Sequence, residues 1–221
     1  MIGLVTLGHS PRPDHEEVYK EIAPGIPCKL VGAMDAISCG EARSLEDTQG
    51  ISPLVCLLSD KTTVEIPLPV LFPYLERQVE RLAADGAQLA VVLCCGGFPA
   101  FTSTISVLLP GMIVPALVSA TRPAGRIGII VPNRAQESAA VSHWRQLGVK
   151  VESAVVSPYE GKGFKEAGVK FRSMEADLVA IDCMGFKDEH RQKLKELCGC
   201  PVLLPTTLVA RVALEMYHSS V

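Results

Sequence analysis

No surplus of positive charge marks this sequence: 21 Lys and Arg stand against 24 Asp and Glu, for a net charge of −3, and the basic residues are scattered along the chain. The electrostatic footprint of a protein that binds nucleic acid or an anionic membrane is therefore missing. Long apolar runs are missing too, since no stretch approaches the roughly 18 residues of a membrane span. The opening MIGLVTLGHSPRPD has only a short apolar run with no basic region ahead of it. It reads as a buried strand rather than a signal peptide. A cytoplasmic protein with neither nucleic acid nor membrane as partner is expected.

Cysteine spacing excludes more. Eight cysteines would suit a disulfide framework in a short secreted chain, but 221 residues without a secretory signal fall outside that class. There is no CxxC, and the CxC of Cys198 and Cys200 has no histidine or second cysteine pair at zinc spacing. Reduced thiols and no metal are expected. Cys28, Cys39 and Cys56 sit among apolar or small residues, where packing is the default role.

What is present is apolar material: 48% hydrophobic and 20% charged residues suit one large α/β domain or two compact ones. Short aliphatic runs alternate with helical periodicity, the pattern of a parallel sheet with crossover helices. Strands are predicted at 3–7, 29–32, 54–58, 89–93, 127–131, 150–155, 178–181 and 202–204. Ser59-Asp60-Lys61 reads as a hairpin turn returning through 64–66. Helices are predicted at 16–22 with Asp14 as N-cap, and at 71–84, 135–147, 165–174, 190–197 and 208–217.

Three features recur in the same order. Ile2-Gly3 opens one half as Ile127-Gly128 opens the other. Ala87-x-Leu89 precedes Cys94 as Ala176-x-Leu178 precedes Cys183, with Gly96 and Gly185 two residues on and Phe98 and Phe186 close behind. Ile113-Val114-Pro115 then matches Leu203-Leu204-Pro205, each proline starting a helix. Two pseudo-symmetric lobes with parallel sheets flanked by helices follow, residues 1–114 with 205–221 forming one and 115–204 the other.

Ligands of open α/β sheets lie outside the carboxyl ends of the strands. Cys94 and Cys183 stand there, and lobes facing each other about a pseudo-dyad would point both thiols into one gap. A helix start expected after each cysteine would supply amide donors and a positive dipole end, which lowers a thiol pKa and binds carboxylate. Such a pair suits inversion at a carbon beside a carboxylate, one thiolate removing a proton while the opposite thiol returns one. Spacing alone leaves the other reading open, in which both cysteines and Cys95 are strand-end packing residues.

The segments LCCGGFPAF, IGIIVPNRAQ, IDCMGF and PVLLPTTLVARVALEM, with SPRPD after the first strand, resemble the AroM family across nearly the whole chain. That family is similar to the cofactor-independent aspartate/glutamate and hydantoin racemases, whose fold has two pseudo-symmetric lobes with one cysteine from each. The resemblance implies an Asp/Glu racemase-like fold, Cys94 and Cys183 at the two catalytic positions, no cofactor, and a homodimer. Cys95 departs from the family's usual Cys-Thr-Gly, replacing a hydroxyl with a second thiol. Two functions follow: a racemase or related isomerase or lyase of a small carboxylate, or a non-catalytic carboxylate-binding protein linked to aromatic amino-acid biosynthesis. A thiol redox role of Cys94-Cys95 is the weaker third, since adjacent cysteines are awkward for a disulfide.

Around the cysteines, Cys95, Gly96, Gly97 and Gly185 are expected to meet substrate through their turns. Ser10 and Arg12 lie on the first loop, where a guanidinium could clamp a carboxylate. Asn133 follows the equivalent strand of the second half, and Thr206 and Thr207 open the last helix, as cleft groups or as caps. Thr102, Ser103 and Thr104 are placed on the helix expected after Cys94. Asp182 could orient the Cys183 thiol or raise its pKa, although a strand-end carboxylate more commonly bonds loop amides, and His9 is an auxiliary acid or base or, more commonly for a lone histidine, incidental. His143, Trp144 and Tyr159 carry no signal.

Overall fold

The computed structural model describes residues 1–122, 124–158 and 161–219, so Tyr159 lies outside the described residues. The chain divides into two compact units: Met1–Cys94, Phe98–Pro110 and the stretch from Val209, and Cys95–Gly97 with Gly111–Leu208.

The first unit runs β1 (Ile2–Thr6), α1 (Pro13–Ile22), β2 (Cys28–Gly32), α2 (Cys39–Ser44), β3 (Pro53–Leu57), β4 (Thr63–Pro67), α3 (Leu68–Ala84), β5 (Leu89–Val92) and β6 (Ser106–Leu108). Its sheet has the order β2-β1-β5-β6, all parallel, and β3 and β4 form the expected antiparallel hairpin. The chain continues through α4 (Pro110–Thr121), β7 (Ile127–Val131), α5 (Arg134–Gln146), β8 (Val151–Val155), α6 (Phe164–Ser173), β9 (Leu178–Ile181), α7 (Asp188–Cys198), β10 (Val202–Leu203) and α8 (Pro205–His218). The second sheet has the same order, β8-β7-β9-β10, again parallel. No helix among the described residues is long and apolar enough to cross a membrane.

The repeat extends to single hydrogen bonds. Leu93 N–H donates to Val5 O as Asp182 N–H donates to Ile130 O, both at 2.8 Å, and Ala87 N–H to Leu82 O as Ala176 N–H to Phe171 O, both at 2.9 Å. Gly3 and Gly128 recur because a helix side chain presses on each strand. A Cβ on Gly3 would stand 2.7 Å from Leu82 of α3, and one on Gly128 2.7 Å from the Phe171 ring of α6.

Period-2 alternation sorts each central strand between two faces. Ala90, Val92 and Cys94 pack on the first unit's main core; Val179, Ile181 and Cys183 pack with α6 and α7 on one face of the second sheet. Leu178 and Ala180 face the other way, toward Trp144, Val114 and Val118.

Three expectations are corrected. The third repeat is displaced: Pro115 lies inside α4, which starts at Pro110. The match is Val107-Leu108-Leu109-Pro110 with Val202-Leu203-Leu204-Pro205, an identical tetrapeptide in which each proline takes the first helical turn, where its missing N–H is harmless. No helix follows Cys94 directly, because Gly96, Gly97 and Pro99 disfavour one. Residues 93–105, with Thr102, Ser103 and Thr104, form a loop whose Phe98, Phe101 and Ile105 pack on the first core. Asp14 is not the cap of α1, which starts at Pro13; Arg12 holds its carboxylate instead.

Candidate functional site

Because β1 and β5 are parallel neighbours, the loop carrying Ser10 and Arg12 and the residue Cys94 leave the first sheet at its carboxyl edge. Likewise β7, β9 and β10 bring Asn133, Cys183 and Thr206 to the carboxyl edge of the second. Cys94 and Cys183 each stand two residues beyond the equivalent strand and on the same face of their sheets.

Cys94 is half-buried against the first core. The Cys56 thiol of the hairpin lies close by, pushed up first by burial and then by the neighbouring Cys94. Cys183 is half-buried, and the Gly185 amide donates to its Sγ at 3.3 Å. The start of α7 is five residues on, at Asp188.

Cys95 is buried, and Gly96 and Gly97 follow it through the loop. A Cβ on Gly111 would overlap the carbonyl oxygens of Cys95 and Gly96, so the first turn of α4 can lie on this loop only with glycine there. A Cβ on Gly97 would stand 3.0 Å from His143 Nδ1. His143 Nε2 bonds Gly111 O at 2.8 Å. That carbonyl would normally accept from residue 115, but Pro115 has no N–H, and the imidazole replaces it.

The loop after β1 is engaged within its own unit. Arg12 places Nε 2.9 Å and Nη2 2.6 Å from the two Asp14 oxygens, and Nη2 is 3.0 Å from His15 Nε2. His15 is buried, and burial followed by the Arg12 charge lowers its pKa to about 4. Asp35 accepts from Ser10 N (2.8 Å), Ser10 Oγ (2.9 Å) and Gly32 N (2.7 Å). His9 bridges Ile37 O and Ser59 N, a strap between loops. Asn133 caps α5, its Oδ1 accepting from Gln136 N at 3.0 Å. Thr206 is buried, and its Oγ1 has no hydrogen-bond partner among the described residues.

Sequence reasoning missed the surroundings of Asp182. Burial raises its carboxyl to about 6, against the opposing pull of the Trp144 indole N–H and the His143 ring. The residue is only half-exposed by surface, and its carboxyl lies deep among protein atoms; the indole draws near without ordinary hydrogen-bond geometry. A signal was available: at the equivalent position the first half has Leu93, so the repeat sets a carboxylate where its partner has a leucine.

The family model described as AroM protein matches residues 2–217. The chain belongs to the AroM family. No curated protein sequence matches it. Among solved structures, this AroM-family chain is similar to allantoin racemase from Pseudomonas fluorescens (TM-score 0.60, 11% identity, covering 100% of this chain and 92% of that one). It is also similar to the maleate isomerase Iso from Pseudomonas putida S16 (0.58, 9% identity, 98% and 92%) and to aspartate racemase from Picrophilus torridus (0.57, 8% identity, 98% and 94%). At these identities the likeness is one of fold: an Asp/Glu racemase-like scaffold.

Proposed function

We propose that this AroM-family protein is a cytoplasmic, cofactor-independent racemase or related isomerase of a small carboxylate, with Cys94 and Cys183 addressing opposite faces of one substrate carbon. The observation that carries this reading is positional equivalence: both cysteines stand two residues past the central strand of a repeated unit, on the same sheet face. Two-base inversion needs such a pair, one side chain accepting the proton while the other donates. An amide aimed at the Cys183 sulfur suits it to hold negative charge, and the apolar contacts of Cys94 suit it to start as the acid. The Thr206 hydroxyl in the first turn of α8, without a hydrogen-bond partner among the described residues, supports a carboxylate site. Ser10, Arg12 and Asn133 are the further substrate-binding residues of this proposal, and a homodimer is the proposed assembly. The racemase and isomerase neighbours support the reaction class.

Incubation in D₂O with panels of amino acids, hydantoins and hydroxy acids tests this: deuterium is expected beside the carboxylate of one class. Exchange with none, or exchange that survives loss of both cysteines, overturns it. One observation favours a carboxylate-binding protein linked to aromatic amino-acid biosynthesis instead: the helix start expected to activate Cys94 is not directly after it. Ligand-induced melting shifts that persist in Cys94→Ala and Cys183→Ala, without exchange, would establish that alternative.

A further inference from the structure

We propose that Cys198 and Cys200 are a redox-active dithiol that closes to an intramolecular disulfide on reaction with a low-molecular-weight disulfide such as oxidised glutathione. The pair lies outside the site above. Cys198 is the last residue of α7 and Cys200 precedes β10 at its amino end, whereas the candidate residues gather at the carboxyl ends of the strands. Between them Gly199 ends the helix at φ 75°, a left-handed conformation that folds the chain back on itself. The result brings the two sulfurs to 3.4 Å, with the Cys200 thiol donating to Cys198 Sγ. Covalent closure needs about 2.05 Å, so a small side-chain adjustment joins them. Cys200 is half-exposed and Cys198 is 5% exposed, which makes Cys200 the sulfur an incoming reagent reaches.

The step balances. The Cys200 thiolate attacks one sulfur of the small disulfide, forming a mixed disulfide and expelling one thiolate. The Cys198 sulfur then attacks Cys200 Sγ, its proton passing to solvent base, and expels the second. One protein dithiol and one disulfide become one protein disulfide and two small thiols. Burial, the Cys198 contact and the charge of Asp177 push the Cys200 thiol up to about 12, while Arg172 of α6 lies beside Gly199. The first step is therefore limited by thiolate, and its rate rises about tenfold per pH unit between 7 and 10.

A tryptic peptide of residues 196–211 contains both cysteines and no others. The native, unsubstituted protein is treated with oxidised glutathione, quenched in acid, alkylated and digested. This peptide is expected to appear two hydrogens lighter, reverting with dithiothreitol, and Cys198→Ser is expected to retain glutathione on Cys200. A peptide that stays reduced, or that carries a persistent glutathione adduct in the unsubstituted protein, overturns the proposal. Because the deciding measurement uses no variant and no substrate, its outcome is independent of whether the racemase reading stands.

Discussion

The Asp182 carboxyl is buried beside the Trp144 indole, across β9 from the side that carries Cys183. Leu93 fills the equivalent place in the first unit, so Asp182 carries a burial penalty that the repeat shows to be avoidable. Trp144 is the single tryptophan of the chain. Its fluorescence should therefore titrate with a midpoint near 6, the value to which burial raises Asp182. In Asp182→Asn this transition should be gone; if it persists unchanged, the carboxyl is not the group that titrates.

The same carboxyl and His15 pull stability in opposite directions with pH. Asp182 holds its proton more tightly folded than unfolded, so its contribution declines as pH rises from about 4 to 6. His15 releases its proton on folding, its pKa falling from 6.5 to about 4, so its contribution declines as pH falls through that window. Each is worth at most on the order of 3 kcal/mol, less for the half-buried Asp182. Unfolding in urea from pH 4 to 7 should show a shallow pH dependence for the unsubstituted protein. Asp182→Asn should be steeply acid-labile, and His15→Gln should gain stability as pH falls.

Two-base chemistry makes the cysteine variants distinguishable. Cys94→Ser and Cys183→Ser should each lower racemisation about 10²–10⁴-fold, the range for loss of a positioned acid or base. Each should retain proton exchange from only one enantiomer of the substrate, and the two variants from opposite ones. Identical residual stereopreference, read by proton NMR in D₂O, would remove the assignment of one cysteine to each face.

The two strand glycines should respond unequally to a methyl group. In Gly3→Ala the new Cβ meets the flexible end of Leu82, but in Gly128→Ala it meets the rigid ring of the fully buried Phe171. Overpacking of this kind costs about 1–3 kcal/mol, and Gly128→Ala should lie at the upper end. Equal losses in denaturant midpoint would show that the Phe171 ring yields as readily as the leucine.

Much of this organisation was legible because local rules and tertiary packing agreed. Apolar runs at 89–93 and 178–181 mark the buried strands, and Ile-Gly at each opening marks the repeat; that a helix side chain presses on each of those glycines is visible only in the structure. The third repeat was misregistered because Pro115 looks like a helix start; sequence pattern does not reveal that α4 tolerates an interior proline when His143 supplies the missing donor. For the same reason His143 and Trp144 carried no signal, since both act through residues distant in sequence. The loop after Cys94 differs from the expected helix because two glycines and a proline, Gly96, Gly97 and Pro99, outweigh the strand-then-helix pattern. Arg12 is legible as a charged loop residue, but its partner Asp14 reads in the sequence as a cap.

The exchange of donors at Gly111 gives a double-mutant test. In Pro115→Ala the new amide can bond Gly111 O in the ordinary helical manner, so the imidazole is no longer required. His143→Ala alone leaves that carbonyl without its donor and should cost about 1–2 kcal/mol. In the Pro115→Ala background the same substitution should cost at least about 1 kcal/mol less, a coupling well above the additivity expected of independent sites. Additive losses in urea unfolding would mean that His143 stabilises α5 by some route other than the Gly111 carbonyl. The cycle also bears on the loop after Cys94, because Gly111 lies on the Cys95 and Gly96 carbonyls and Gly97 on the His143 ring. A shift in the reactivity of Cys95 toward a thiol reagent in His143→Ala, reversed by Pro115→Ala, would show that the imidazole sets the position of that loop.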